Sequence, residues 1–197
     1  MTKNDAKIAD TVAQAIAGNR WATEQLADLY YQTVFRMVYY RTRSKSDAED
    51  LTQEIFMQMV KYLPRLKDKN RFRPWLFRIA LNKVRDFHRK RQFLTFFGSN
   101  SDNPQAEGSD NAQSQIGTPA DALIQKEFWQ QFRQLGDSLP RQEREVFLLR
   151  FADNLKIKEI ARILKKSEST VKTHLYRALK KFRQNSELRN MLKGELG

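Results

Sequence analysis

The sequence predicts an all-α protein of two small helical domains joined by a flexible linker, with a helix-turn-helix in the second domain. Apolar residues repeat at intervals of three and four along most of the chain, and strand-like alternation of useful length does not occur. A polar stretch near the middle of the chain interrupts the helical pattern. We therefore expect a first domain over 1–95, a linker over 96–118 and a second domain over 119–190.

The first domain contains two predicted helices before its first proline. Residues 24–43 carry apolar side chains at helical spacing. The next helix is predicted to start with a capping box, in which the Ser46 hydroxyl accepts a hydrogen bond from the Glu49 amide and the Glu49 side chain reaches back. It is predicted to end near Leu63, because Pro64 follows. Its expected buried residues are Leu51, Ile55, Met59 and Tyr62.

A third helix is predicted after a loop over 64–73. Pro74 suits the first helical position, where an amide hydrogen would have no helical acceptor. The helix is expected to run from Trp75 to about Arg91. Its expected buried stripe consists of Leu76, Ile79, Ala80, Val84 and Phe87.

The polar stretch from Gly98 to Thr118 contains no Lys or Arg and three acidic residues. Ser, Asn, Gln and Gly dominate it, and it has too few apolar side chains to offset the entropy of folding. The alternative is a long surface loop within one domain. That alternative is less favoured, because structureless loops beyond about 15 residues are uncommon in compact domains.

The second domain contains four predicted helices, near 120–135, 140–151, 156–165 and 169–185. A short turn separates the last two, and either Ser167 or Ser169 can cap the final helix. Such a pair forms a helix-turn-helix, which lays its second helix in the DNA major groove. The alternative is an ordinary helical hairpin. The side chains predicted to contact bases and phosphates are Ser169, Thr170, Lys172, Thr173, Tyr176, Arg177 and Lys180.

The charge of the chain indicates a polyanionic partner. Its 197 residues include 36 Lys and Arg against 23 Asp and Glu, which gives a formal net charge of +13. Residues 61–91 hold twelve basic and two acidic side chains, and residues 141–183 hold thirteen and five. Charge runs are often solvated helix faces. However, so many cations on so few residues repel one another, and bound phosphates would relieve that repulsion.

The composition excludes several classes of protein. The chain has no cysteine, so disulfides, thiolate zinc sites and cysteine nucleophiles are excluded. Asp68 and Asp86 alone do not make a two-metal nuclease site. No apolar run approaches the roughly 18 residues of a membrane span, and the first residues lack an apolar signal core. We expect a cytoplasmic binding protein that is not an enzyme, with no metal, no cofactor and no small-molecule substrate.

Several segments resemble one known family. In the first domain they are DAEDLTQEIF (47–56), LPR (63–65), FRPWLFRIALN (72–82) and RKR (89–91). In the second domain they are LP (139–140), REVFLLR (144–150), EIA (159–161) and TVK (170–172). The two sets resemble regions 2 and 4 of the bacterial extracytoplasmic-function (ECF) sigma factors, in the family's order and with a polar linker between them. The resemblance covers about residues 22–91 and 119–185.

The resemblance implies a subunit that binds core RNA polymerase, recognises the minus-35 and minus-10 promoter elements and helps to melt the DNA. In the family, the helix that starts near Asp47 docks on the largest polymerase subunit. Its acidic, amide-bearing face suits a basic protein surface better than it suits DNA, although a merely solvated face is the alternative. The implied polymerase-binding residues are Asp47, Asp50, Gln53 and Glu54.

The loop before the third helix, and the start of that helix, resemble the part of the family that captures a flipped minus-10 base. Asn82 matches the position that reads the edge of such a base. Trp75 and Phe77 can stack on unpaired bases, although Trp75 fits the core equally well. Lys90 and Arg91 would hold phosphates together with the other cations of the segment. The implied minus-10 residues are Lys69, Asn70, Arg71, Phe72, Arg73, Trp75, Arg78, Asn82, Lys83, Arg85 and Arg89.

The resemblance further implies an anti-sigma factor as an inhibitory partner. The alternative function is a stand-alone transcriptional regulator of the LuxR type, whose helix-turn-helix shares the pattern Ser-x-x-Thr-Val-Lys-x-His-Leu but which is not expected to carry the acidic helix. Three positions depart from the family pattern, namely Pro74, Asn154 and Lys165. At Lys165, where glycine is usual, a left-handed turn would cost roughly 1 kcal/mol.

Overall fold

The computed structural model describes residues 3–97 and 139–184, which belong to two compact units that are treated separately below. All secondary structure within these two ranges is helical, which confirms the all-α prediction. The linker from residue 98 onward and the helix expected near 120–135 lie outside the described residues, so the domain boundaries stay predictions. No helix in the described ranges is both long enough and apolar enough to cross a membrane.

The first unit contains four α-helices: α1 (Lys3–Ile16), α2 (Arg20–Thr42), α3 (Lys45–Tyr62) and α4 (Phe72–Phe97). Two 3₁₀ turns, Leu63–Arg65 and Lys69–Arg71, connect α3 to α4. Helix α2 packs against each of the other three helices, so the core of this unit forms around it.

The predicted apolar stripes largely form this core. On α3, Leu51, Ile55 and Met59 are buried as predicted. The expected burial of Tyr62 is wrong, because that ring is 37% exposed and Leu63 is buried in its place. On α4 the buried members of the predicted stripe are Leu76, Ala80 and Val84, whereas Ile79 and Phe87 are half-buried.

Helix α1 is absent from the sequence-based prediction. It buries Ala9, Val12 and Ala15, a three-residue spacing of small side chains that lets one face of a helix approach its neighbours closely. It packs against α2 and against both 3₁₀ turns. Helix α1 therefore packs against the loop that carries several predicted minus-10 residues.

The predicted capping residue of α3 is wrong. The helix begins at Lys45, and the Ser44 hydroxyl, not that of Ser46, accepts a hydrogen bond from the Asp47 amide at 3.3 Å. The cause lies one residue earlier, where Arg43 ends α2 in the left-handed conformation with a φ of 59°. Ser44 then takes the extended conformation that an N-cap requires.

Helix α4 begins earlier and ends later than predicted. The Asp68 carboxylate accepts a hydrogen bond from the Asn70 amide at 3.0 Å and starts the second 3₁₀ turn, which leads directly into α4 at Phe72. Pro74 therefore lies within the first turn of α4. Amide hydrogens in the first turn have no acceptor within the helix, so the missing one at Pro74 costs no helical hydrogen bond. The helix continues past Arg91 to Phe97, so it includes the first residues of the predicted linker.

The second unit contains three described α-helices, α5 (Arg141–Phe147), α6 (Ile157–Leu164) and α7 (Glu168–Gln184). A π-helical turn, Leu148–Ala152, continues α5. Helix α7 packs against both α5 and α6, and the side chains of Phe147 and Leu149 are fully buried among the residues of this unit. The order of α6, a short turn and α7 confirms the predicted helix-turn-helix.

Candidate nucleic-acid interface

The exposed face of α7 carries the residues predicted to contact the minus-35 element. Val171 and Ala178 are buried and hold the opposite face of the helix against the unit. Thr170 is half-buried, and Tyr176 is 65% exposed. The other predicted residues are all exposed, namely Ser169, Lys172, Thr173, Arg177 and Lys180. Helical spacing of three and four brings them onto one face.

The first turn of α7 is fixed by a cluster of hydroxyl groups. The Ser167 hydroxyl accepts a hydrogen bond from the Thr170 amide at 3.1 Å, which caps the helix. The same oxygen lies 2.8 Å from the Ser169 hydroxyl and 2.7 Å from the Thr170 hydroxyl. The Thr173 hydroxyl donates to the Ser169 carbonyl at 3.0 Å. These hydroxyls are held in place before any ligand arrives.

An ion pair ties α7 to α5. Lys181 Nζ lies 3.4 Å from Glu143 Oε2, and the Glu143 side chain is only 9% exposed. Lys172 and Arg177, by contrast, form no ion pair with any residue in the part of the chain that the structure describes. The two cations at the centre of the exposed face are therefore available to bases or phosphates.

In the first unit, the loop before α4 presents polar side chains. Lys69, Asn70 and Arg71 are exposed. Two of them are already paired with carboxylates, since Lys69 Nζ lies 3.8 Å from Asp10 Oδ1 and Arg71 Nε lies 2.8 Å from Asp68 Oδ2. The loop is thus tied both to α1 and to its own N-cap.

The aromatic residues of this region divide between core and surface. Phe72 is 1% exposed and its ring lies edge-on to Tyr30, with centroids 5.4 Å apart. Phe77 is fully buried beneath the Arg73 guanidinium, which lies 5.7 Å from the ring centroid. Neither ring has a face open to an unpaired base, which corrects the expected stacking role of Phe77 and the DNA contact expected of Phe72. Trp75, half-buried beside Phe72, is the aromatic candidate that remains.

The outer face of α4 holds the other predicted minus-10 residues. Asn82 is exposed. Arg78 and Arg85 are half-buried. Arg89 is exposed and its guanidinium lies 3.0 Å from Asp86 Oδ1. Lys83 Nζ lies 2.6 Å from Glu54 Oε2 on α3. This arrangement places cations and one amide on the same helix. Four of the predicted cations of α4 and its preceding loop are paired with a carboxylate, namely Lys69, Arg71, Lys83 and Arg89.

His88 on α4 is half-buried. One of its ring nitrogens lies 3.0 Å from the Arg41 carbonyl at the end of α2. The imidazole therefore joins α4 to α2.

The predicted polymerase-binding face of α3 is exposed except at its start. Asp50, Gln53 and Glu54 are exposed and Asp47 is half-buried. Sequence reasoning missed Met57, which follows on the same face and is 71% exposed. A methionine side chain is flexible and polarizable, which suits it to protein-binding surfaces, and the spacing of three residues from Glu54 places Met57 on the predicted face. No group of three or more His, Asp or Glu side chains among the described residues could hold a metal ion.

Two family models match the chain in the order that the motifs indicate. Residues 26–93 match "Sigma-70 region 2" and residues 129–182 match "Sigma-70, region 4". Together the two matches take up more than half of the chain. The chain belongs to the sigma-70 family. The region 2 match starts within α2 and ends within α4, so α1 lies outside it.

The curated relatives assign this sigma factor to the ECF group. It is 31% identical over 180 residues to the ECF RNA polymerase sigma factor BldN of Streptomyces coelicolor. The matched stretch covers 90% of this chain and 65% of BldN. It is 28% identical to SigX of Bacillus subtilis, over 83% of this chain and 82% of that protein. SigW of Bacillus subtilis is also 28% identical, over 88% of this chain and 93% of SigW. None of these matches supports the LuxR-type alternative.

Solved structures share the fold of this sigma factor. A complex of CnrH with the cytosolic domain of CnrY matches with a TM-score of 0.65 and 23% identity, over 95% of this chain and 97% of that one. RpoE of Bartonella quintana, in complex with the anti-sigma factor NepR, matches with a TM-score of 0.61 and 19% identity, over 86% and 96%.

Proposed function

We propose that this sigma factor binds core RNA polymerase, directs it to promoters through minus-35 and minus-10 elements and assists in opening the DNA. The observation that carries the proposal is the presence, in one chain, of a region 2 unit and a region 4 unit, the latter with an exposed cationic face on α7. As a transcription initiation factor, it contributes binding and no catalysis of its own. Its site of action is the cytoplasm, where RNA polymerase works.

For the minus-35 element, α7 is the reading helix. Lys172 and Arg177 donate to guanine edges or to phosphates, Thr173 contacts either, and Lys180 holds a phosphate one turn further on. Ser169, Thr170 and Tyr176 border this face. Because the hydroxyl cluster fixes the first turn of α7, the helix enters the groove without reordering of that turn.

For the minus-10 element, the loop over 69–71 and the outer face of α4 form the contact surface. Asn82 reads the edge of an extruded base and Trp75 stacks beside it. Opening a base pair costs a few kcal/mol, and a pocket for the extruded base offsets part of that cost. The surrounding cations bind the phosphates of the strand and so position it. These cations are Lys69, Arg71, Arg73, Arg78, Lys83, Arg85 and Arg89.

The exposed face of α3 is the proposed polymerase contact. Its carboxylates at Asp50 and Glu54 meet a basic surface of the enzyme, and Gln53 and Met57 contribute hydrogen bonding and apolar contact. An anti-sigma factor is a second proposed protein partner. The solved RpoE structure with this fold is bound to the anti-sigma factor NepR.

Charge reversal on α3 tests the proposed function. Asp50→Lys with Glu54→Lys places two cations against a basic surface, and we expect the variant to lose co-elution with core polymerase and promoter-directed transcription. The matched control is Glu24→Lys with Asp28→Lys, which reverses two exposed carboxylates at the same spacing on α2 and is expected to bind polymerase normally. Unchanged binding by the α3 variant would refute this docking face. Failure of the wild-type chain to bind any core polymerase would refute the proposed function itself.

A further inference from the structure

One ion pair joins the two functional surfaces of the first unit. Lys83 on α4 belongs to the proposed minus-10 surface, and Glu54 on α3 belongs to the proposed polymerase face. Their charged atoms lie 2.6 Å apart, a distance typical of a short charge-assisted hydrogen bond. The Lys83 side chain is 24% exposed and the Glu54 side chain 54%. Part of the Lys83 ammonium is therefore covered by a carboxylate that also serves the other surface.

The other ion pairs of the minus-10 surface differ in one respect. Lys69, Arg71 and Arg89 pair with Asp10, Asp68 and Asp86. Those three carboxylates lie on α1, in the loop and on α4, and none of them is a proposed polymerase contact. Among the described residues, the pair between Glu54 and Lys83 is thus the one ion pair that connects a proposed polymerase contact to a proposed DNA contact.

We propose that Glu54 shields Lys83 from DNA in the isolated chain and releases it when the α3 face binds core polymerase. The inference rests on the proposed function and adds a regulatory step to it. A basic polymerase surface competes for the Glu54 carboxylate, and Lys83 then regains its full charge. The freed ammonium neutralises a phosphate and releases a counterion. Because such coupling is reciprocal, bound DNA strengthens polymerase binding by the same factor.

The first experiment measures binding of the isolated full-length chain to a labelled 30-base-pair duplex without promoter sequence, over a series of salt concentrations. Glu54→Gln is expected to tighten binding by about two- to fivefold, the range that a partly exposed ion pair supplies, and to steepen the salt dependence. Asp50→Asn is the matched control, because it removes one negative charge from the same helix face but has no ion-pair partner among the described residues. In a Lys83→Met background the two substitutions are expected to act equally. Equal effects in the wild-type background would overturn the shielding.

The second experiment compares two lysines with and without polymerase. The DNA is a promoter identified by sequencing the transcripts that the reconstituted holoenzyme makes in vitro. Lys83→Met is expected to cost the isolated chain less than a factor of two in DNA affinity, and to cost the holoenzyme about two- to fivefold more than that. Lys90→Met is the control, because Lys90 is exposed on α4 and has no ion-pair partner in the described ranges. Its cost is expected to be equal in both states.

The outcomes separate this inference from the proposed function. If Lys83→Met costs the isolated chain and the holoenzyme equally while the wild-type chain still binds polymerase, the coupling is overturned and the proposed function stands. If the wild-type chain does not bind polymerase, both the proposed function and the coupling are overturned. The first experiment still decides, in that case, whether Glu54 shields Lys83.

Discussion

Lys172 and Arg177 are the two residues on which minus-35 recognition is expected to depend most. Both are exposed on α7, and neither has an ion-pair partner among the described residues. We expect Lys172→Ala and Arg177→Ala each to weaken binding of holoenzyme to a minus-35-dependent promoter by about 1–3 kcal/mol. Binding to core polymerase is expected to be unchanged, because the proposed polymerase face lies on α3. Competition binding with labelled promoter DNA measures the loss.

Arg141→Ala is the matched control for these two substitutions. Arg141 is an exposed cation at the start of α5, so its removal changes the net charge of the unit equally without touching α7. Its effect on promoter affinity is expected to be small. Normal initiation by both α7 variants at a minus-35-dependent promoter would show that α7 is not the reading helix.

At the scale of single residues, periodicity predicts exposure better than it predicts the role of an aromatic ring. The outward side chains of α7 follow from the burial of Val171 and Ala178 at helical spacing. Phe77 was a candidate for stacking on bases, yet it is fully buried. An aromatic residue near a helix start satisfies either role in the sequence, and only tertiary packing separates them. The pair between Glu54 and Lys83 joins residues 29 positions apart, so no local pattern indicates it.

The turn between α6 and α7 stores backbone strain at one residue. Lys165 ends α6 with a φ of 53° and a ψ of 46°, the left-handed conformation. The Lys166 amide donates to the Ala161 carbonyl at 2.9 Å, which is the helix-ending bond that usually accompanies glycine at this position. We expect Lys165→Gly to stabilise the helix-turn-helix by about 1 kcal/mol, since the steric cost of a Cβ atom is removed. Amide hydrogen exchange of α6 and α7 measures this gain.

Lys166→Gly provides the control for that substitution. Lys166 is absent from the residues with positive φ among those described, so glycine there adds backbone entropy to the unfolded chain without relieving strain. We expect it to lower the stability of the two helices. A loss of protection in Lys165→Gly as well would show that the lysine side chain contributes more than the strain costs.

At the scale of elements, the existence of the described helices was more predictable than their ends. The capping box at Ser46 had the right composition, but the left-handed Arg43 moved the cap to Ser44. The start of α4 depends on the Asp68 carboxylate and the 3₁₀ turn that follows it, and a proline alone does not reveal such a turn. Helix α1 was missed because its buried residues Ala9 and Ala15 are small and give a weak apolar signal.

At the scale of the whole molecule, charge predicted the kind of partner and motifs predicted the family. The two cationic blocks over 61–91 and 141–183 fall largely on α4 and its preceding loop and on α5 to α7. Composition could not show how many of these cations are already paired. In the first block, four cations form ion pairs with the carboxylates of Asp10, Glu54, Asp68 and Asp86. The number of cations in this block that have no carboxylate beside them is therefore smaller than the count of Lys and Arg alone indicates.

The proposal that both units hold one duplex makes a prediction about salt dependence. Lys90 on α4 and Lys180 on α7 are exposed cations, one in each unit, and each is expected to neutralise one phosphate. Removing such a contact lowers the slope of log K against log salt by about 0.9. We therefore expect Lys90→Gln and Lys180→Gln each to reduce the slope for holoenzyme on a promoter duplex by about 0.9, and the double variant by about 1.8. Additive losses arise only if the two units bind the same duplex at the same time. A double variant with the slope of either single variant would mean that one unit at a time contacts the DNA. That result would contradict the proposal that α4 and α7 bind two elements of the same promoter together.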